Sequence, residues 1–250
     1  MKSLFLALIL LLFPFSCVFS QTVITDQKLY WLRYYNQLSL NKRWTMHNEF
    51  ENRRFLDNNR QHHFITHSRI HYKILPNIEI AAGFCFSRQS PQNQYSTTSL
   101  VVPEYRLEQE FSVQNQVSKR ISIHNRLRVD ERYITKNNGL SLSDGFDFNF
   151  RFRHRIQVIL SLNKPESNLP LLFKAGNEVM INSGKTILYN HFDQSRLLLS
   201  FEKSLNRNFS AEIGYIHWYQ QRPSGNEFFN RNILRLTLLH KIELAKAKDS

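Results

Sequence analysis

His63, His67 and His71 recur at every fourth residue, and on a helix that spacing would bring them to one side to share a metal ion. On a strand, residues four apart are about 13 Å apart at ~3.3 Å rise per residue, beyond the reach of a single ion. Around them Phe64, Thr66, Ser68, Ile70, Tyr72 and Ile74 occupy the other parity. The segment therefore reads as a strand, and no metal or other cofactor is expected.

Ser122 and His124 supply a nucleophile and a base for acyl transfer. No Gly-x-Ser-x-Gly elbow accompanies them, and no third residue is fixed to orient the histidine. A lipid-modifying enzyme with a rim site is the alternative function; the expectation is a non-enzymatic protein, either a narrow channel or a structural and adhesive barrel. Glu104, Glu108 and Glu110 are suited to proton transfer, but they are equally suited to neutralising nearby arginines. With 33 Lys+Arg against 20 Asp+Glu, arginine is abundant and the second role is expected.

What positions these residues is a period of two. Phe146, Phe148, Phe150 and Phe152 share one parity, and Asp147, Asn149, Arg151, Arg153 and Arg155 share the other. A helix would mix the two sets, whereas a strand separates them. Eleven such segments are expected, at 28–39, 44–54, 62–74, 78–88, 104–115, 120–134, 145–160, 170–182, 192–203, 208–220 and 229–243. Most are longer than the ~5–6 residues of soluble sheets and match the ~9–11 that a tilted strand needs to cross a bilayer.

Tight links at 40–43, 75–77, 116–119 and 204–207 interleave with longer ones at 55–61, 89–103, 135–144, 183–191 and 221–228. Asparagine carries the turns, since it tolerates the left-handed conformation. Single-chain bacterial barrels normally have an even number of strands. A short extra strand at Thr22–Asp26 is therefore expected, giving about twelve within a range of ten to twelve.

Each Arg or Lys facing lipid near the midplane would cost about 2–4 kcal/mol, so the charged parity must face inward. The fold class is thus all-β: an antiparallel transmembrane β-barrel with a polar, salt-bridged lumen. Its charge network comprises Glu104, Arg106, Glu108, Glu110, Arg126, Arg128, Asp130, Arg132, Arg151, Arg153, Glu178 and Arg196, with Arg126 to Arg132 at the centre. Further lumen residues are Arg33, Glu49, Arg53, His67, Arg69, Lys174, Glu212 and Arg235.

A soluble barrel carrying an apolar ligand has the opposite polarity. Strand length and the purity of the phenylalanine face favour the membrane. So do aromatic residues placed as interfacial girdles: Tyr30, Trp31, Trp44, Tyr133, Trp218 and Tyr219.

The first twenty residues read as a secretory signal peptide, with Lys2, an apolar run from Leu4 to Phe15 and cleavage after Ser20. A lipid-accepting Cys17 is the lesser alternative. After cleavage Cys85 is the one remaining cysteine, so no disulfide is expected and a small buried residue is. The domain organisation is a signal peptide at 1–20, one outer-membrane barrel domain at 21–244 and a polar tail at 245–250. The formal charge of +13 suggests anionic solutes as partners. Nucleic acid is not one, because the arginines face inward.

Four stretches occur in order: Trp31-Leu32-Arg33-Tyr34-Tyr35-Asn36-Gln37, His124-Asn125-Arg126-Leu127-Arg128-Val129-Asp130-Glu131-Arg132-Tyr133, Gly176-Asn177-Glu178-Val179 and Phe192-Asp193-Gln194-Ser195-Arg196. This arrangement resembles the family catalogued as domain of unknown function 2490. The resemblance spans nearly the whole chain after residue 20. It implies a barrel in the outer membrane of a Gram-negative bacterium, and it implies no activity. Outer-membrane lipid and the barrel-assembly machinery are then the expected partners. Barrels of that compartment usually finish on an aromatic residue, whereas here Ile242 and Leu244 take the last apolar positions.

Overall fold

The two-residue alternation is realised as eleven strands that close on themselves. They are β1 (Val23–Ser39), β2 (Trp44–Phe55), β3 (Gln61–Leu75), β4 (Ile78–Gln89), β5 (Val102–Gln116), β6 (Ile121–Asn137), β7 (Leu142–Ser161), β8 (Leu171–Ser183), β9 (Phe192–Ser204), β10 (Phe209–Gln221) and β11 (Glu227–Glu243). The structure is a computed structural model that describes residues 22–164 and 167–244. The expected signal peptide at 1–20 and polar tail at 245–250 lie outside the described residues.

Each strand pairs antiparallel with its sequence neighbours, and the barrel closes through a parallel seam between β1 and β11, from Val23↔Glu227 to Ser39↔Glu243. An odd number of up-and-down strands leaves the first and last running the same way, so the closing pair must be parallel. The expected twelfth strand does not form. Val23 to Asp26 instead extend β1, where they pair with Glu227 to Asn230 of β11. The added pairing of that segment lengthens the seam rather than creating another element.

Four short connections, 40–43, 76–77, 117–120 and 205–208, lie on one rim, together with the longer segment 162–170. The other rim carries 56–60, 90–101, 138–141, 184–191 and 222–226, called here the loop rim. Short and long links are therefore not cleanly divided between the rims. At 138–141 the link is shorter than expected because β6 runs on to Asn137 and β7 begins at Leu142.

Asparagine does hold the turns, though mostly not by a left-handed backbone. Asn41 Oδ1 accepts from the amides of Arg43 and Trp44, both at 2.9 Å, and Asn206 Oδ1 repeats this with Asn208 and Phe209 at 2.9 and 2.8 Å. The side-chain oxygen thus stands in for a backbone acceptor. Among the described residues, Asn59 is the one non-glycine with positive φ.

The faces are sorted as charge requires. Leu32, Phe50, Leu107, Leu127, Phe152, Ile213 and Leu236 are exposed on the outside, while Glu104, Glu108 and Asp130 are fully buried within. This polarity is opposite to that of a soluble barrel built around an apolar ligand. On the outer face of β7, Phe148, Phe150 and Phe152 form a contiguous ridge, the first two rings edge to face at 4.9 Å and the last two stacked at 6.3 Å.

Two of the six expected girdle aromatics point the other way. Trp31 and Trp218 are 2% and 3% exposed and face the lumen, packed edge to face at 5.9 Å. The reason is parity: Trp31 shares its face with Arg33, and Trp218 with Glu212. Leu29, Phe55, Leu198, Ile216 and Ile233 join them in an interior apolar cluster. One sector of the lumen therefore packs apolar side chains and indole rings beside its charged groups.

Candidate functional site: a belt of ion pairs inside the barrel

The twelve expected network residues all face the lumen, and each has an opposite charge within 4.0 Å. Glu104 accepts from Arg106 at 2.7 and 2.8 Å and also from Arg132. Arg128 donates Nε and Nη2 to Glu110 at 2.8 and 2.6 Å and lies 3.7 Å from Glu108. Glu178 collects Arg126 at 2.5 Å, Arg153 at 3.1 Å and Arg196 at 4.0 Å. Asp130 pairs with Arg153 at 3.3 Å on the facing strand, not with the arginines two residues away on its own strand. Arg151 pairs with Asp193 at 2.9 Å.

These pairs continue into a belt that circles the lumen. From Glu202 on β9 it passes through Lys174 on β8 to Glu212 on β10, which holds both Arg235 of β11 and Arg33 of β1. Arg33 leads to Glu49 on β2 at 3.5 Å, then Arg69 on β3 and Glu108 on β5. Arg128 and Arg126 of β6 bracket Glu110, and Glu178 and Arg196 return the belt to β8 and β9.

Only β4 gives the belt no charge. There Gly83 stands between Arg69 and Glu108 in the strand register. A Cβ at Gly83 would lie 2.5 Å from Arg69 Cγ, so the glycine clears the path along which the arginine crosses β4. Buried charges are tolerated when paired, and removing one partner of such a pair typically costs about 3–5 kcal/mol.

The three spaced histidines line the lumen and do not meet. His63 contacts His62 at 2.8 Å, His67 contacts Glu108 at 3.1 Å and His71 contacts Glu79 at 2.6 Å. A different grouping appears instead. His67, buried Cys85 and Glu108 bring their ligating atoms within 4.8 Å of one another. Cys85 is opposite His67 in the register, a relationship that spacing along one strand cannot reveal. The Glu108 carboxylate is already bonded to Arg69 at 3.0 Å, with Arg128 close by, so a cation there would meet two guanidiniums. Ser122 and His124, the pair considered for acyl transfer, both sit on the lumen face of β6.

A cavity of about 820 Å³ runs inside the belt, lined from Gln37 and Lys241 near the rim opposite the loop rim to Asn190 and Arg222 near the loop rim. At ~30 Å³ per molecule that is room for a few tens of waters, a narrow hydrated interior. The link 90–101 folds over its loop-rim mouth. Gln92 reaches across to His62 of β3, Gln27 of β1 and Arg231 of β11, at 2.9–3.2 Å. Arg60 secures the same link through the carbonyls of Gln94, Ser96 and Thr98.

The fold and its interior together define a closed β-barrel with an apolar outer face and a belt of ion pairs inside. The chain belongs to the family described as a protein of unknown function, DUF2490, matched over residues 29–229. The match runs from β1 into β11 and so takes in the belt from Arg33 to Glu212. Among curated proteins nothing matches the sequence.

Proposed function

We propose that the protein is an integral outer-membrane β-barrel of a Gram-negative bacterium, exported by residues 1–20, which acts without catalysis as a narrow, anion-preferring conduit. The carrying observation is the sorting of side chains: large apolar residues exposed around the outside, charges buried and paired within. In water, so continuous an apolar surface would drive association, because soluble monomers rarely expose more than a few hundred Å² in one patch. In a bilayer the same surface contacts lipid tails, and the closed sheet leaves no unpaired backbone edge. Lipid and the barrel-assembly machinery are the partners this reading requires.

Conduction is supported by the hydrated cavity of about 820 Å³, whose lining runs from Gln37 and Lys241 to Asn190 and Arg222 beneath the 90–101 link, and anion preference by the excess of arginine along it. Fractionation tests the location. The protein should remain with outer membranes after carbonate washing and show heat-modifiable mobility on gels. Recovery in the soluble periplasm would overturn the reading. Planar-bilayer recording separates a conduit from a closed structural barrel. A reproducible change in outer-membrane lipid composition in cells lacking the protein would replace the reading with the lipid-modifying one.

A further inference from the structure

The loop-rim half of the lumen departs from the pairing that governs the belt. There, guanidiniums and aromatic rings alternate in one column. Arg53 lies over the Trp31 ring at 3.9 Å, Arg196 over Trp31 and Trp218 at 5.6 and 4.6 Å, and Arg231 over Trp218 and Phe229 at 4.3 and 4.2 Å. Rings stabilise cations at such distances, so they let arginines gather without an equal number of carboxylates.

The charge in this column is only partly balanced. Arg53 has Glu51, but Arg196 has its nearest acid, Glu178, at 4.0 Å. Arg231 is fully buried, and among the described residues no acid lies within 4.0 Å of it. Its guanidinium is held by the neutral amide oxygens of Gln27, Gln220 and Gln92 at 2.7, 2.5 and 3.2 Å. In addition, Arg196 Nε, Trp31 Nε1 and Trp218 Nε1 are buried with no acceptor among the described residues. Arg53, Arg196 and both tryptophans line the cavity. The column thus offers donors and positive charge in surplus of acceptors, next to space.

We propose that this half of the lumen is a binding site for a small soluble oxyanion, a phosphate or carboxylate group, held by Arg196 and Arg53 against the two indoles. The flat ring faces are already covered by guanidiniums, so recognition is of the charged group rather than of an aromatic ligand. Arginine forks match both phosphate and carboxylate oxygens. Gln92, whose side-chain oxygen bonds Arg231 and His62, makes the 90–101 link the roof of the site. The inference rests on the reading of the lumen as anion-preferring, but not on conduction or membrane location.

The test uses tryptophan emission from the full folded barrel in neutral detergent micelles, titrated with inorganic phosphate at constant ionic strength. The chain has three tryptophans, and Trp44→Phe removes the one outside the lumen. Trp44→Phe protein should show a saturable change with phosphate and none with chloride. Arg196→Gln should weaken the apparent affinity about tenfold, the loss expected for one charge-assisted contact. Calorimetric titration of the unaltered protein should give one phosphate per chain, which keeps the test intact if Arg196→Gln does not fold. No saturable change, equal affinity in folded Arg196→Gln, or zero stoichiometry would overturn the site. A response only when phosphatidylglycerol is added to the micelles would assign the chemistry to a lipid headgroup and overturn the soluble-ion proposal. Membrane fractionation is unaffected by any of these results, so failure here is distinguishable from failure of the location.

Discussion

Arg69 on β3 donates to Glu108 on β5 at 3.0 Å by passing over Gly83 on the strand between them. Two charges that are not on neighbouring strands are joined because the intervening residue has no side chain. Gly83→Val should therefore sever the contact, leaving a buried carboxylate short of one partner. Loss of about 2–4 kcal/mol of folding stability is expected, read as a lower denaturant midpoint in micelles. An unchanged midpoint would mean that the crossing is not structural.

Arg128 and Asp130 are neighbours on one face of β6 but are wired differently. Arg128 serves Glu108 and Glu110, whereas Asp130 holds Arg153, which also has Glu178. Arg128→Ala should destabilise the barrel by about 3–5 kcal/mol and Asp130→Ala by about 1–3 kcal/mol, so the first should lower the heat-modification temperature more. The order, rather than either magnitude, is the test. Equal transitions in both variants and the parent would show that the belt does not stabilise the barrel.

Inside and outside tryptophans should behave unlike one another. Trp31→Ala empties a packed interior position and should cost about 3–5 kcal/mol. Trp44, 43% exposed on the outer face beside Tyr72, should cost about 1 kcal/mol or less on the same change. Unfolding curves of the two variants provide the comparison.

Ion selectivity follows from the uneven pairing near the loop rim. In planar bilayers under a salt gradient, the zero-current potential should have the sign of anion preference, and Arg196→Glu should move it toward cations. Cation preference in the unaltered protein would contradict the charge assignment of the lumen.

Much of the architecture is legible in the sequence because a strand's parity decides its exposure. The Phe146–Phe152 ridge and the Arg151–Arg155 face lie where alternation assigns them. Trp31 and Trp218 show the limit of reading by residue type. An interfacial preference favours the outer surface, yet parity with Arg33 and Glu212 turns both inward. Pairings such as Arg153 with Asp130, or His67 beside Cys85, depend on register between strands, which period alone does not specify. The parallel seam escapes for another reason: the usual even strand number favours a twelfth strand, and nothing in Thr22–Asp26 distinguishes a separate strand from the start of β1. The fold of 90–101 across the mouth depends on Gln92 meeting residues of three distant strands.

If the apolar outer face lies in lipid while the tryptophan-rich interior does not, brominated lipids should distinguish the two by quenching. In a Trp44→Phe background with Leu127→Trp, the protein is reconstituted into vesicles whose acyl chains carry bromine. Leu127 is 54% exposed on the outside of β6, and Trp31 and Trp218 serve as interior references. The account predicts strong quenching of the emission that Leu127→Trp adds, deepest with bromine near the bilayer centre, and little quenching of Trp31 and Trp218. Absence of quenching at position 127, or stronger quenching of the interior pair, would contradict it.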